Sequence, residues 1–143
     1  MKQALLVAAA ALALGAGSLT AQASKAPAHT AGRTVRVQML QQGSAYKFVP
    51  ANFSVHPGDV VEFVNVSGFP HNVGFEANQV PAGAATVLNA AMARRSGNLL
   101  GPMMMAANET YRISFAGAPA GAYHYFCLPH KALGMVGVIT VAR

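Results

Sequence analysis

Turn residues cut the sequence between residues 34 and 141 every few positions, and that punctuation leaves room for little but short strands. Thr34-Val35-Arg36-Val37-Gln38-Met39 alternates apolar and polar side chains, as a half-buried strand does. Residues 48–55 predict a strand interrupted at Pro50. His56-Pro57-Gly58-Asp59 is a turn, with Pro setting one dihedral and Gly accepting a positive φ. Residues 60–66 are strongly β-forming and are broken by Ser67-Gly68-Phe69-Pro70. Residues 71–75 predict a short extended piece. Residues 84–95 contain no Pro or Gly and predict about three turns of helix, ended by Ser96-Gly97. Residues 109–115, 121–126 and 135–141 predict further strands, the last two joined by a loop over 127–134. Many short strands with one brief helix define an all-β sandwich.

The N-terminus lies outside that pattern. A basic start at Lys2, an apolar run over 4–16 and the small-x-small ending Ala21-Gln22-Ala23 describe a Sec-type secretory signal, with residues 1–23 removed. The run is shorter than the roughly 20 residues that cross a bilayer, so stable membrane insertion is not expected. Residues 24–33 predict a flexible leader, and residues 34–143 a single domain. An exported chain of this kind points to a bacterial periplasm.

Removal of Lys2 leaves nine Lys and Arg against four Asp and Glu, a net charge of +5. These cations form no run, which argues against nucleic acid and for an acidic protein partner. Lys131, beside His130, is expected to help draw such a partner in.

The chain has one cysteine, so no internal disulfide can form. Its neighbours give it another use. Cys127-Leu128-Pro129-His130-Lys131-Ala132-Leu133-Gly134-Met135 sets a thiolate, an imidazole and a thioether within nine residues, between two predicted strands. His71 lies far upstream at another strand end, and a sandwich can bring both segments to one end of the molecule. Two imidazoles, one thiolate and a weak thioether are the ligands of a blue-copper electron-transfer site. Zinc favours four strong ligands, and iron–sulfur clusters need several cysteines. Four protein ligands leave no open position for substrate, which argues against an enzyme. His29, His56 and His124 are expected to be plain surface or sheet residues. Met103-Met104-Met105 is expected to fill the core, and Arg94-Arg95 to sit at the helix C-terminus, where its dipole favours cations.

Several segments carry a family resemblance. They are Phe48-Val49-Pro50, Pro57-Gly58-Asp59-x-Val61-x-Phe63-x-Asn65, Pro70-His71-Asn72-Val73, Pro81-Ala82-Gly83, Glu109-Thr110-Tyr111 and Tyr123-x-Tyr125-x-Cys127-x-Pro129-His130-x-x-x-Gly134-Met135. Over residues 35–141 the chain resembles the plastocyanin family of cupredoxins. The resemblance implies an eight-stranded Greek-key β-sandwich, one copper ion on His71, Cys127, His130 and Met135, and His130 as the electron-exchange edge. It implies a monomeric carrier moving single electrons between redox proteins; copper delivery or buffering is the alternative. An oxidase or nitrite reductase would need further copper ligands and a second such domain. Two features depart from the plant pattern, and a third departs from that of many family members. The plant acidic stretch is replaced by Phe75-Glu76-Ala77-Asn78-Gln79, and the Tyr before the Cys by Phe126. The Ser or Thr after the Cys is replaced by Leu128, so Asn72 is expected to use main-chain partners.

Overall fold

Among the residues described by the computed structural model, 32–143, the chain forms eight strands and one α-helix. They follow in the order β1 (Thr34–Gln42), β2 (Ala45–Val49), β3 (Asn52–Val55), β4 (Val60–Asn65), β5 (Gly74–Phe75), α1 (Ala84–Ala91), β6 (Glu109–Ser114), β7 (Gly121–Phe126) and β8 (Val136–Val141). The expected signal peptide, and the leader up to residue 31, lie outside the described residues. No helix among the described residues is long and apolar enough to cross a membrane.

Two four-stranded sheets, ordered β2-β1-β4-β6 and β3-β8-β7-β5, make the all-β sandwich that the punctuation predicts. Pro50 is where the chain changes layers. The segment that reads as one interrupted strand becomes β2, antiparallel to β1, and β3, parallel to β8 in the other sheet. Proline cannot donate to a ladder, so the break falls where pairing must switch.

The core fills from both inner faces at the strand period of two. Val37 and Met39 of β1, Val61 and Phe63 of β4, and Tyr111 and Ile113 of β6 meet Tyr123 and Tyr125 of β7 and Ile139 and Val141 of β8. The Tyr125 ring is central, with its centroid 4.7 Å from that of Phe48 and 5.7 Å from that of Phe63. Its hydroxyl donates to the Ala51 carbonyl at 2.8 Å, so a polar tip is carried into the core without being left unpaired.

The helix is shorter than expected. It ends at Ala91 because Met92 turns extended and closes its N–H onto the Leu88 carbonyl at 2.8 Å while burying its side chain. Arg94 then takes a left-handed φ of 50°. Arg94 and Arg95 therefore lie beyond the helix, not in its last turn, and the dipole contact expected of them is not made. Arg95 instead donates to the Asn89 side-chain oxygen at 2.8 Å.

Arg33, read from sequence as the end of a loose leader, is anchored. Its backbone N–H and its Nε both donate to Asp59 at 3.0 Å, and the His56 N–H donates to the same carboxylate at 2.9 Å. Burial works to raise the Asp59 carboxyl. The hydrogen bonds from His56 and Arg33, with the Arg33 charge, outweigh it and hold the group below its ordinary 3.8. Asp59→Ala should cost about 1–3 kcal/mol at neutral pH, because it leaves the donors of a half-buried turn unpaired. A depressed native pKa gives stability that is complete above the unfolded value and fades as pH falls through the native one. Urea unfolding of the copper-free protein should show the gap between wild type and Asp59→Ala narrowing from neutral pH to about pH 2.

Candidate metal centre

The inward alternation of β7 and β8 does not stop at the strand ends. Tyr123 and Tyr125 face the core, and Cys127, two residues further, stays on that side, fully buried. On β8 the inward positions Val141, Ile139 and Gly137 lead back to Met135, also fully buried. The loop between is a 3-10 turn over Leu128–Leu133, with Pro129 in its first turn and Gly134 closing it at a left-handed φ of 86°. That φ is one glycine adopts without strain. The Cys127 N–H donates to the Met135 carbonyl at 3.0 Å, the His130 N–H to the Cys127 carbonyl at 3.1 Å, and the Met135 N–H to the His130 carbonyl at 3.1 Å. The three loop residues expected to hold metal are thus tied by their own backbone.

His71 arrives from the other side. Its backbone exchanges two hydrogen bonds with Met104, at 3.1 and 2.8 Å. The Asn65 side chain braces the approach by donating to the carbonyls of Phe69 (2.8 Å) and Met104 (3.2 Å) and accepting from the Gly68 N–H (3.0 Å). Asn72 accepts from the Leu128 N–H at 2.8 Å and so links the two ligand-bearing segments, through the main chain as expected.

The side chains converge. His71 Nδ1 lies 3.6 Å and His130 Nδ1 3.4 Å from Cys127 Sγ, and the three donor atoms lie within 4.8 Å of one another. His71 is fully buried and His130 is 9% exposed, which makes His130 the edge nearest solvent. Burial, with the neighbouring His130, pulls His71 down to about 4, and burial also lowers His130. Both imidazoles are therefore neutral at physiological pH, with lone pairs free. Burial pushes the Cys127 thiol up, offset in part by the backbone N–H groups of Asn72 and His130. One thiol and two neutral imidazoles, gathered in an apolar interior, are a donor set that fits copper.

Two contacts around this cluster have no local sequence signal. Ser67 Oγ is 3.2 Å from His71 Nε2. With Nδ1 turned to Cys127, Nε2 is the nitrogen left to face that hydroxyl, and a metal on Nδ1 would keep the ring proton on Nε2 for it. Tyr46 stacks on the His130 ring, centroids 3.8 Å apart and planes 6° from parallel. Lys131 is not the free charge expected of it. It pairs with Glu76 and lies 4.5 Å over the Phe126 ring. His124 points away from Cys127 along β7, as the alternation requires.

A two-sheet sandwich with a buried His-Cys-His cluster at one end defines a cupredoxin. The profile of copper-binding proteins of the plastocyanin/azurin family matches residues 34–142, and the chain belongs to that family. Plastocyanin A'/A'' of Nicotiana tabacum is 42% identical over 107 residues, covering 75% of this chain and 99% of that one. Plastocyanin of Solanum tuberosum is 39% identical over 94 residues, 66% of this chain and 86% of the other. A mutant plastocyanin of fern superposes with a TM-score of 0.60 at 27% identity, over 76% of this chain and all of that one. Pseudoazurin from Methylobacterium extorquens AM1 superposes with a TM-score of 0.54 at 25% identity, covering 76% and 75%.

Ser67→Ala leaves the far nitrogen of His71 without its partner. Groups that orient a metal-bound imidazole in this way contribute about 10–100-fold to metal affinity. Copper competition against a chelator should show a loss of about tenfold in Ser67→Ala and near-normal affinity in Ser67→Thr.

Proposed function

We propose that this protein is an exported type 1 copper protein that carries single electrons between redox proteins, with copper held by His71, Cys127, His130 and Met135. The observation that carries the reading is the buried convergence of the Cys127 thiol with two neutral imidazoles. Met135 is assigned as the weak fourth ligand because it is fully buried on the same inner face and joined by its backbone to both Cys127 and His130. Copper, when bound, supplies a one-electron couple whose colour and potential depend on the thiolate and the axial group.

The protein's own residues do the rest. A sheet frame and interlocked loop hold the donors in place, so that gaining or losing an electron requires little rearrangement. All four ligand positions are filled by side chains and buried or nearly so, which supports a carrier and not an enzyme. His130, on the stacked Tyr46 ring, is the approach edge. Leu128 and Leu133 stand exposed beside it and offer a small apolar contact for brief encounters. The signal-like N-terminus supports export, with the bacterial periplasm as the compartment and a monomer as the working form.

The copper-loaded protein should be intensely blue. Cys127→Ser should lose that colour, because an oxygen ligand cannot supply the soft covalent bond to Cu(II). In the same series Met135→Gln should stay coloured while voltammetry finds a lower potential. A colourless stoichiometric Cu(II) complex of the unaltered protein would rule the reading out.

The partner class follows from charge. Asp59, Glu62 and Glu76 are each held by an Arg or Lys, which leaves the excess of +5 to be expressed by cations elsewhere. Since Lys131 is paired with Glu76, steering falls to the net field and not to that one residue. Such fields act on association rate and are screened over about 8 Å at physiological salt. Stopped-flow rates with an acidic redox partner should fall as ionic strength rises, and those with a basic partner should rise.

A further inference from the structure

The run Met103-Met104-Met105 is not core filling as a whole. Met104 is fully buried, but Met103 is 41% and Met105 61% exposed. The segment is extended where Met104 bridges to His71, so the flanking side chains leave on the opposite side, toward solvent. Alternate positions on an extended chain lie about 7 Å apart. Two flexible thioethers can close that gap around one ion.

A carboxylate sits beside them. Glu109 accepts the backbone N–H groups of Met105 (2.9 Å) and Ala106 (3.2 Å). Of the four Asp and Glu side chains, Glu109 alone makes no ion pair with a cation among the described residues. On a molecule with a cationic excess, a negative charge left unpaired beside two exposed thioethers is a local preference for a cation. The ligand type selects which cation. Thioethers are soft donors that favour Cu(I) over the hard ions of the medium. One strand spacing, about 5 Å, separates the Met104 backbone from that of His71.

We propose that Met103 and Met105, with Glu109 supplying charge, form a second, surface site for Cu(I), which receives incoming copper before it reaches the buried cluster. The site lies outside the ligand set assigned above and would stand even if the buried metal were not used for electron transfer. Binding involves no redox change. Cu(I) arrives and leaves as Cu(I), exchanging its donor's ligands for thioethers and then for the thiolate and imidazoles of the interior, with the Cys127 proton released to solvent.

The test uses the reduced, copper-loaded protein, labelled at the methionine methyls, with Ag(I) as a closed-shell stand-in for Cu(I) under anaerobic conditions. One further equivalent of Ag(I) should shift the methyl signals of Met103 and Met105, leave those of Met39 and Met135 in place, and leave the blue colour intact on reoxidation. The exposed double variant Met103→Leu/Met105→Leu should lose the response, and Glu109→Gln should weaken it several-fold. Transfer of Cu(I) from a chelate into the copper-free protein should be several-fold slower in the double variant, with the final affinity of the buried site unchanged. Unshifted Met103 and Met105 methyls, or displacement of the buried copper in their place, would overturn the site. Shifted methyls with an unchanged loading rate would overturn its role in entry.

Discussion

The register between β7 and β8 is the constraint from which the rest of the site follows. Gly121 opposes Val141 and the ladder runs without a break to Phe126 opposite Val136. Its inward positions lead directly to Cys127 on one strand and Met135 on the other. A slip of one residue in either strand would turn that strand's sulfur outward, Cys127 with Tyr123 and Tyr125 on β7 or Met135 with Ile139 on β8. The aromatic core therefore acts on the metal centre from a distance. What it stabilises is the parity that keeps a thiol and a thioether indoors, and the nine-residue loop only has to fold back on itself between fixed ends.

That core is apolar enough to make every polar group in it expensive, and the structure meets the cost with short-range partners. Among the described residues no buried side-chain nitrogen or oxygen is left without a hydrogen bond. Asn65 spends its amide on two carbonyls and an N–H around the His71 approach, and Asn72 takes the Leu128 N–H from the opposite loop. Ser67 takes the remaining nitrogen of His71. Each contact removes a freedom that a flexible pair of loops would otherwise have. Backbone and amide hydrogen bonds hold the segments that carry the donor atoms.

Much of this is legible in the sequence, and the failures are informative. β7 reads to its observed ends, because Pro119 and Gly121 bracket one end and the Cys127 loop the other. The convergence of His71, Cys127 and His130 reads from residue type and spacing, since few chemistries use a thiol and two imidazoles; Met135 as a fourth ligand is part of the proposal. The helix reads too long, because Ala and Met propensity continues past Ala91 while burial of Met92 ends the turn. The methionine run reads as uniform core, although strand alternation splits it. Lys131 reads as free because nothing in one dimension places Glu76 beside it. The Tyr46 stack on His130 depends on β1–β2 pairing and on the fold of the final loop, which no local pattern encodes.

The pairing of Lys131 with Glu76 across the Phe126 ring has a consequence for traffic. It roofs the flank of the molecule next to Cys127 with a self-contained ion pair, so that flank offers a visitor neither net charge nor bare ring. For the carrier proposed above, the His130 edge is the more open doorway among the described residues. A donor and an acceptor that both use that edge must take it in turn, each leaving before the other can enter. A tightly held complex on either side would stop the cycle, so weak, short-lived docking is a requirement that this one covered flank imposes.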